Sequence, residues 1–181
     1  MNRTGHAWIS FKNDSYPTVR FGGLNVAPYT EVTIGTFGNL EAYHVGIWYN
    51  LESYLVNELG QMSGRVSLSI DITRDELDTI NALIDANDDW GILNNCSSFA
   101  TKIWNSVADD KVSASYPNTP TSLVSAIKSF DYYQTNRSII NNSTIGYAEG
   151  YAYHSCNPYE NNTNMVDLAV SENISLYKVK E

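Results

Sequence analysis

The spacing of the apolar residues changes near residue 73, and this change most limits the folds that the chain can adopt. Residues 65–72 alternate between apolar and polar side chains, which indicates a half-buried strand. Directly afterwards Thr73 and Glu76 form a capping box, and apolar residues then recur at helical spacing. The sequence therefore predicts a helix that ends near Asn87. A strand followed by an amphipathic helix is typical of a fold in which helices pack on a sheet.

With the remaining segments, the chain divides into a β-rich first half, a helical middle and a tyrosine-rich tail. Further predicted strands are residues 5–11, 16–21, 43–49, 145–154 and 174–179, and further predicted helices are residues 96–107 and a segment that begins at Thr119–Pro120. Turn-forming residues between the first two strands indicate a hairpin. At 181 residues the chain has the size of one domain, and we predict a single α+β domain.

The charge balance excludes several classes of partner. Eleven Lys and Arg stand against twenty Asp and Glu, which gives a net charge of -9. Such a chain repels phosphate backbones and anionic lipid surfaces, so we expect no nucleic acid and no docking on anionic membranes. No stretch approaches the roughly 18 apolar residues of a membrane span. The N-terminal residues show no cleavable signal, so we expect synthesis in the cytoplasm and any export by a route without one.

Cys96 and Cys156 are the two cysteines of the chain, too few for a disulfide framework or a four-cysteine zinc site. Cys96 lies at the predicted start of a helix, where unpaired N–H groups and the helix dipole favour the thiolate. The same N–H groups are suited to hold an oxyanion. Position alone leaves two interpretations open, a nucleophile or a small buried side chain.

A thiolate mechanism needs a base, and the chain has three histidines, His6, His44 and His154. The residue pattern alone does not rank them. His154 and Cys156 are two residues apart, but their spacing matches no common zinc pattern. Phosphate-loop, dinucleotide and serine-elbow motifs are missing. We therefore predict no cofactor and no metal.

Three stretches of the chain together carry a resemblance. They are Gly-His-Ala-Trp-Ile at residues 5–9, Asn-Asn-Cys-Ser-Ser-Phe-Ala at residues 94–100 with Trp104, and the segment from Thr119–Pro120 onwards. They resemble the permuted branch of the NlpC/P60 superfamily of papain-like proteins. The resemblance spans residues 5–129, and the order of histidine before cysteine marks the permuted branch. It implies a catalytic core over residues 1–129, with an antiparallel sheet packed on the cysteine-bearing helix. Residues 130–181 are then a tyrosine-rich extension that packs on the same domain.

The resemblance also implies roles for individual residues. By position it makes Cys96 the nucleophile and His6 the general base and later the general acid. The family has a third polar group on the strand after the histidine strand, here residues 16–21. Thr18 is our tentative third member and His44 the alternative. A dyad, with a backbone carbonyl that orients the imidazole, also remains open.

A member of this family is expected to be a cysteine hydrolase that cleaves amide bonds, foremost in peptidoglycan peptides. Small single-domain members resemble antibacterial effectors exported by specialised secretion systems and paired with a cognate immunity protein. Two alternatives remain. The chain is a thiol acyltransferase or lipid-cleaving enzyme of the permuted branch, or it is a non-catalytic binding module in which Cys96 is inert. The tail tyrosines are expected to pack as an extra β layer or to line a substrate or partner surface.

Overall fold

The computed structural model describes residues 5–38, 44–116, 118–150, 152–156 and 178–179 of the chain. Its strands are β1 (Trp8–Asn13), β2 (Val19–Phe21), β3 (Leu24–Val26), β4 (Glu31–Phe37), β5 (Gly46–Tyr49), β6 (Val66–Ser67), β7 (Asp71–Ile72), β8 (Gln134–Thr135), β9 (Gly146–Glu149), β10 (Ala152–Ser155) and β11 (Lys178–Val179). Its helices are α1 (Leu51–Asn57), α2 (Arg74–Asp85), α3 (Cys96–Val107) and α4 (Pro120–Ile127). The predicted α+β class is confirmed.

One seven-stranded sheet organises the fold, with the order β10-β9-β5-β4-β1-β11-β7. The pairs from β10 to β1 are antiparallel, whereas β11 pairs in parallel with both of its neighbours. Two small sheets, β2 with β3 and β6 with β8, complete the described strands. Strand β4 therefore lies between β1, which follows His6, and β5, which follows His44.

Apolar layers cover both faces of the central strands. Strand β4 is buried along its whole length, and β1 nearly so. Helix α3 contacts β1 and β4 and packs on α2, while α1 contacts β4. Because successive strand residues point to opposite faces, Ile9 and Ile34 join the core cluster that includes α2 and α3, and Trp8 and Trp48 join the cluster around α1. These two packed layers hold the strands in place beside the candidate site.

The three helices predicted from local signals are confirmed. Helix α2 begins after Thr73, whose side chain and that of Glu76 form the reciprocal capping box. Helix α3 spans the predicted residues with Asn95 as its N-cap, and α4 begins with Pro120 at its first position. Capping signals lie within a few residues of the helix start, so the sequence reports them directly.

The hairpin predicted for the first two strands is wrong, because β1 pairs with β4 and β2 pairs with β3. Asn13 ends β1, and its side-chain amide donates to the Pro17 and Val26 carbonyls. Its backbone N–H donates to the Thr30 carbonyl (3.0 Å). Residues 14–30 are therefore a side excursion that returns to the end of β1. The chain re-enters the sheet as β4, a strand that the sequence did not predict.

The single strand predicted at residues 65–72 is also wrong. The chain forms β6 and β7 there, and they belong to different sheets. Strand β6 pairs with β8, whereas β7 pairs with β11. Val66, Leu68 and Ile72 are still buried in one core, and Ile70 packs against it, which explains why the pattern looked like one strand.

The tail joins the sheet at its β5 edge. Strands β9 and β10 form a hairpin around Gly150, whose φ of 62° suits glycine, and β9 pairs with β5. Upstream of this hairpin, Arg137 donates to the buried Glu31 carboxylate (2.7 Å) and so does the Ile140 N–H (2.9 Å). Tyr147 and Tyr153 lie on these strands, and Tyr132 and Tyr133 are exposed. Tyr151, Tyr159 and most of the strand predicted at 174–179 lie outside the described residues.

Candidate active site

His6 lies two residues before β1 in a buried aromatic setting. The residue is 5% exposed, and its ring centroid is 4.2 Å from that of Phe37 and 6.0 Å from that of Trp8. Gly35 of β4 pairs with Trp8 and leaves room for the imidazole. A Cβ at position 35 would lie 2.7 Å from His6 Nε2 and would clash with the Glu52 carboxylate. The absence of a side chain at Gly35 therefore creates the space in which His6 and Glu52 meet.

Glu52 is the hydrogen-bond partner of His6. Its Oε1 lies 2.8 Å from His6 Nε2, and Glu52 has no solvent exposure. Its other oxygen, Oε2, accepts a hydrogen bond from Thr33 Oγ1 on β4 (2.8 Å). Both carboxylate oxygens are thus engaged, as a buried charge requires.

The turn before α1 explains how Glu52 reaches this position. Asn50 adopts a left-handed conformation (φ 58°) between β5 and α1. Its side-chain carbonyl accepts from the Thr33 N–H (3.1 Å), and its amide donates to the Thr144 carbonyl (2.8 Å). The start of α1 is therefore tied to β4, and its second residue, Glu52, points at His6.

Cys96 is the first residue of α3 and is 8% exposed. The preceding Asn95 caps the helix, because its side-chain oxygen accepts from the N–H groups of Ser97 (3.0 Å) and Ser98 (3.1 Å). The Phe99 N–H binds the Asn95 carbonyl. The last of these is the first bond within the helix, and the two capping bonds use the Ser97 and Ser98 amides, which we expected to be open for an oxyanion. Among the described contacts, the Cys96 N–H is the first-turn amide left for that role.

The Cys96 thiol and the His6 ring are hydrogen-bonded to each other. Burial alone would raise the pKa of the thiol, but His6 and the N–H groups of Ala7 and Ser97 outweigh it and lower that pKa. Burial alone would lower the pKa of His6, but the charges and hydrogen bonds of Cys96 and Glu52 raise it to about 9. The pair therefore favours a thiolate beside an imidazolium.

The hydrogen bond to Glu52 leaves one ring nitrogen of His6 for the thiol. Because Nε2 of His6 faces the Glu52 carboxylate, Nδ1 is the nitrogen left to face the sulfur. A thiolate, an imidazolium that can give and take a proton, and a carboxylate that orients the ring are the groups of nucleophilic acyl transfer. The arrangement is thus chemically able to form and hydrolyse an acyl thioester.

Of the four predicted site residues, the structure brings Cys96 and His6 together and places the other two elsewhere. Thr18 is exposed and precedes β2, which belongs to a separate sheet. His44 bonds through Nε2 to Asp88 Oδ1 (2.8 Å) and stacks on Tyr147. Strand β4 lies between the strands that follow the two histidines, so His44 is not in the position expected of an orienting group.

Sequence reasoning missed Glu52. It lies 46 residues from His6, on a helix of seven residues that the sequence did not predict. The signal that was available is local and weak. Asn50 follows the apolar strand and immediately precedes Leu51–Glu52, a composition that also suits the start of a helix.

The described residues form neither a metal site nor a membrane-spanning helix. No three His, Cys, Asp or Glu side chains come together there as a metal site. His154, for example, pairs with Glu149 (3.1 Å). In the same part of the chain no helix is both long and apolar enough to cross a bilayer.

Comparison with known proteins yields no relative. No protein-family model matches the sequence, and no curated protein and no solved structure matches the chain.

Proposed function

We propose that the protein is a cysteine hydrolase that cleaves amide bonds with Cys96 as nucleophile, His6 as general base and acid, and Glu52 as the orienting carboxylate. One observation carries the proposal. A thiol at a helix start, an imidazole and a fully buried carboxylate form one continuous hydrogen-bonded row. Keeping a buried charge is costly unless it is paired, so an orienting role accounts for the presence of Glu52 beside a histidine.

In the proposed reaction each of the three groups has one task. The Cys96 thiolate attacks the carbonyl carbon, and the negative oxygen is stabilised by the Cys96 N–H. The C–N bond then breaks as His6 transfers its Nδ1 proton to the leaving amine, which leaves a thioester on Cys96. Neutral His6 next takes a proton from water, and the resulting hydroxide attacks the thioester. Release of the acid regenerates the thiolate, while Glu52 holds Nε2–H throughout.

The substrate class and the finer fold assignment follow the sequence resemblance. The permuted papain-like fold is supported by the order of the elements, with the histidine before a sheet strand and the cysteine at the start of a later helix that packs on that sheet. We propose peptidoglycan peptides as the substrate, a cognate immunity protein as a partner, and export by a specialised route. Thr18 and His44 are replaced in this proposal by Glu52.

Purified peptidoglycan peptides test the proposal directly. The wild-type protein and the Cys96→Ala and Cys156→Ala variants are incubated with the peptides, and new termini are sought by mass spectrometry. Cys156 is the matched control, because it is the chain's other free thiol. We expect cleavage by the wild type and Cys156→Ala and none by Cys96→Ala. Products that persist in Cys96→Ala would refute the nucleophile, and the absence of any product would remove peptidoglycan as the substrate.

A further inference from the structure

The segment that leads into Cys96 presents apolar side chains to solvent. Ile92 is 80% exposed, Leu93 is 67% exposed and Trp90 is partly exposed. We call these three residues the apolar rim. Large aliphatic side chains gain free energy from burial, so their exposure beside a nucleophile points to a binding role.

Hydrogen bonds hold the rim in place. Gly91 and Asn94 exchange backbone hydrogen bonds of 3.1 Å in both directions. Ser98 Oγ donates to the Leu93 carbonyl (3.1 Å), and the Asn95 amide donates to the Ile92 carbonyl (3.2 Å). The backbone of the rim is thus fixed to the first turn of α3, and its aliphatic side chains are displayed in a defined direction.

The other end of the rim is attached to the sheet. The Asp88 carboxylate accepts from the Ile47 N–H (2.9 Å) and bonds to His44. The Trp90 ring covers the backbone of Gly38, where a Cβ would lie 2.6 Å from the ring carbon Cζ3. The rim therefore bridges the sheet and the cysteine-bearing helix. This arrangement preorganises a surface next to the thiol.

The reaction geometry indicates which part of a substrate meets this surface. The leaving amine must lie near His6, because the imidazolium protonates it. The carbonyl oxygen must lie near the Cys96 N–H. The substituent on the carbonyl carbon then extends away from His6, and residues 90–95 are the segment that leads directly into Cys96.

We propose that the apolar rim binds an apolar side chain on the carbonyl side of the scissile bond. This inference rests on the proposed function, because it needs the Cys96 thiolate. Asp88 and Asp89 flank the rim, and the chain has a net charge of -9, so an acidic substituent is disfavoured there. The substrate is thus an acyl compound whose carbonyl-side residue is uncharged and apolar.

N-acetyl amino-acid p-nitrophenyl esters with one leaving group test the inference. The burst of nitrophenol gives the rate of Cys96 acylation for the glycine, alanine, leucine and aspartate esters. In the wild type we expect the leucine ester to acylate Cys96 about tenfold faster than the glycine ester, and the aspartate ester to be the slowest. In the Ile92→Ser/Leu93→Ser double variant the leucine-to-glycine ratio should fall to about two or less. Tyr16→Ser is the matched control, because Tyr16 is exposed in the turn at the opposite end of β1 from His6.

The outcomes separate the inference from the proposed function. If Cys96 reacts with the glycine ester but shows no preference for leucine, or if the preference survives in the double variant, the inference is overturned and the thiol hydrolase remains. If no ester acylates Cys96 and iodoacetamide also fails to label it selectively, both are overturned. Binding of the wild type but not of the double variant to neutral lipid vesicles, without an ester preference, would assign the rim to a membrane instead.

Discussion

Replacement of Glu52 by glutamine removes one negative charge from the site and nearly nothing else. The amide oxygen of Gln can accept from His6 Nε2–H, and the amide nitrogen can donate to Thr33 Oγ1, so both bonds of 2.8 Å have a substitute. The side chain is fully buried, so solvent does not screen the charge that is lost. Glu52→Gln therefore isolates the electrostatic effect of the carboxylate on the imidazole.

The size of the effect follows from the separation. An opposite charge in direct contact shifts a pKa by about 1–3 units. Cys96 and, after it, Glu52 raise the pKa of His6 to about 9, so loss of the Glu52 charge alone should lower the pKa to about 7–8. With a pKa of about 7.5, roughly half of the molecules carry the imidazolium at about pH 7.5. The variant's imidazolium loses its proton at a lower pH than that of the wild type. The fall of activity on the alkaline side should therefore also begin at a lower pH.

Nuclear magnetic resonance can follow this change directly, because the chain has only three histidines. The ring nitrogen signals of His6 are titrated in the wild type and in Glu52→Gln, with those of His44 and His154 as internal references. We expect a lower midpoint for His6 alone and about a twofold slower cleavage of an amide substrate by the variant at about pH 7.5, because the leaving amine needs the imidazolium proton. A folded variant whose His6 midpoint equals that of the wild type would refute the assignment of Glu52.

Three further substitutions test the surroundings of the site. Gly35→Ala should destabilise the fold by about 1–3 kcal/mol in urea unfolding, because its Cβ meets Glu52 and His6, and a neutral result would contradict the close packing. Thr33→Val should cost about 1–3 kcal/mol in the same assay, since it leaves a buried carboxylate oxygen without its donor, whereas Thr33→Ser should be nearly neutral. Thr18→Val should leave thiol alkylation rates within about twofold of the wild type. A larger loss would return Thr18 to the site.

The parts of the fold predicted from sequence are those with local signals. The Thr73–Glu76 box and Thr119–Pro120 act within one helical turn, so the starts of α2 and α4 were predicted, and apolar residues at helical spacing predicted α3. The position of Cys96 at a helix start follows from that spacing. Its low pKa does not, because that depends on a histidine brought close by the sheet.

The third member of the site depends on contacts that no local pattern reports. The expectation for Thr18 assumed that the next strand in sequence is the next strand in the sheet. Residues 14–30 form an excursion instead, and β4 takes that place. Helix α1 lacks a side-chain cap, because Asn50 binds Thr33 rather than the first turn. The weak signal of Asn50 before Leu51 was therefore all that marked this helix start, and Glu52 was missed although it lies beside His6.

The central claim is that Cys96 and His6 form a thiolate–imidazolium pair, and the pH dependence of alkylation tests it most directly. The native protein is treated with iodoacetamide over a range of pH, and the adducts on Cys96 and Cys156 are quantified separately by mass spectrometry. We predict that Cys96 reacts rapidly well below the ordinary thiol pKa, that Cys156 does not, and that His6→Ala moves the Cys96 profile to higher pH. Equal profiles for the two thiols, or a Cys96 profile unchanged by His6→Ala, would contradict the pair.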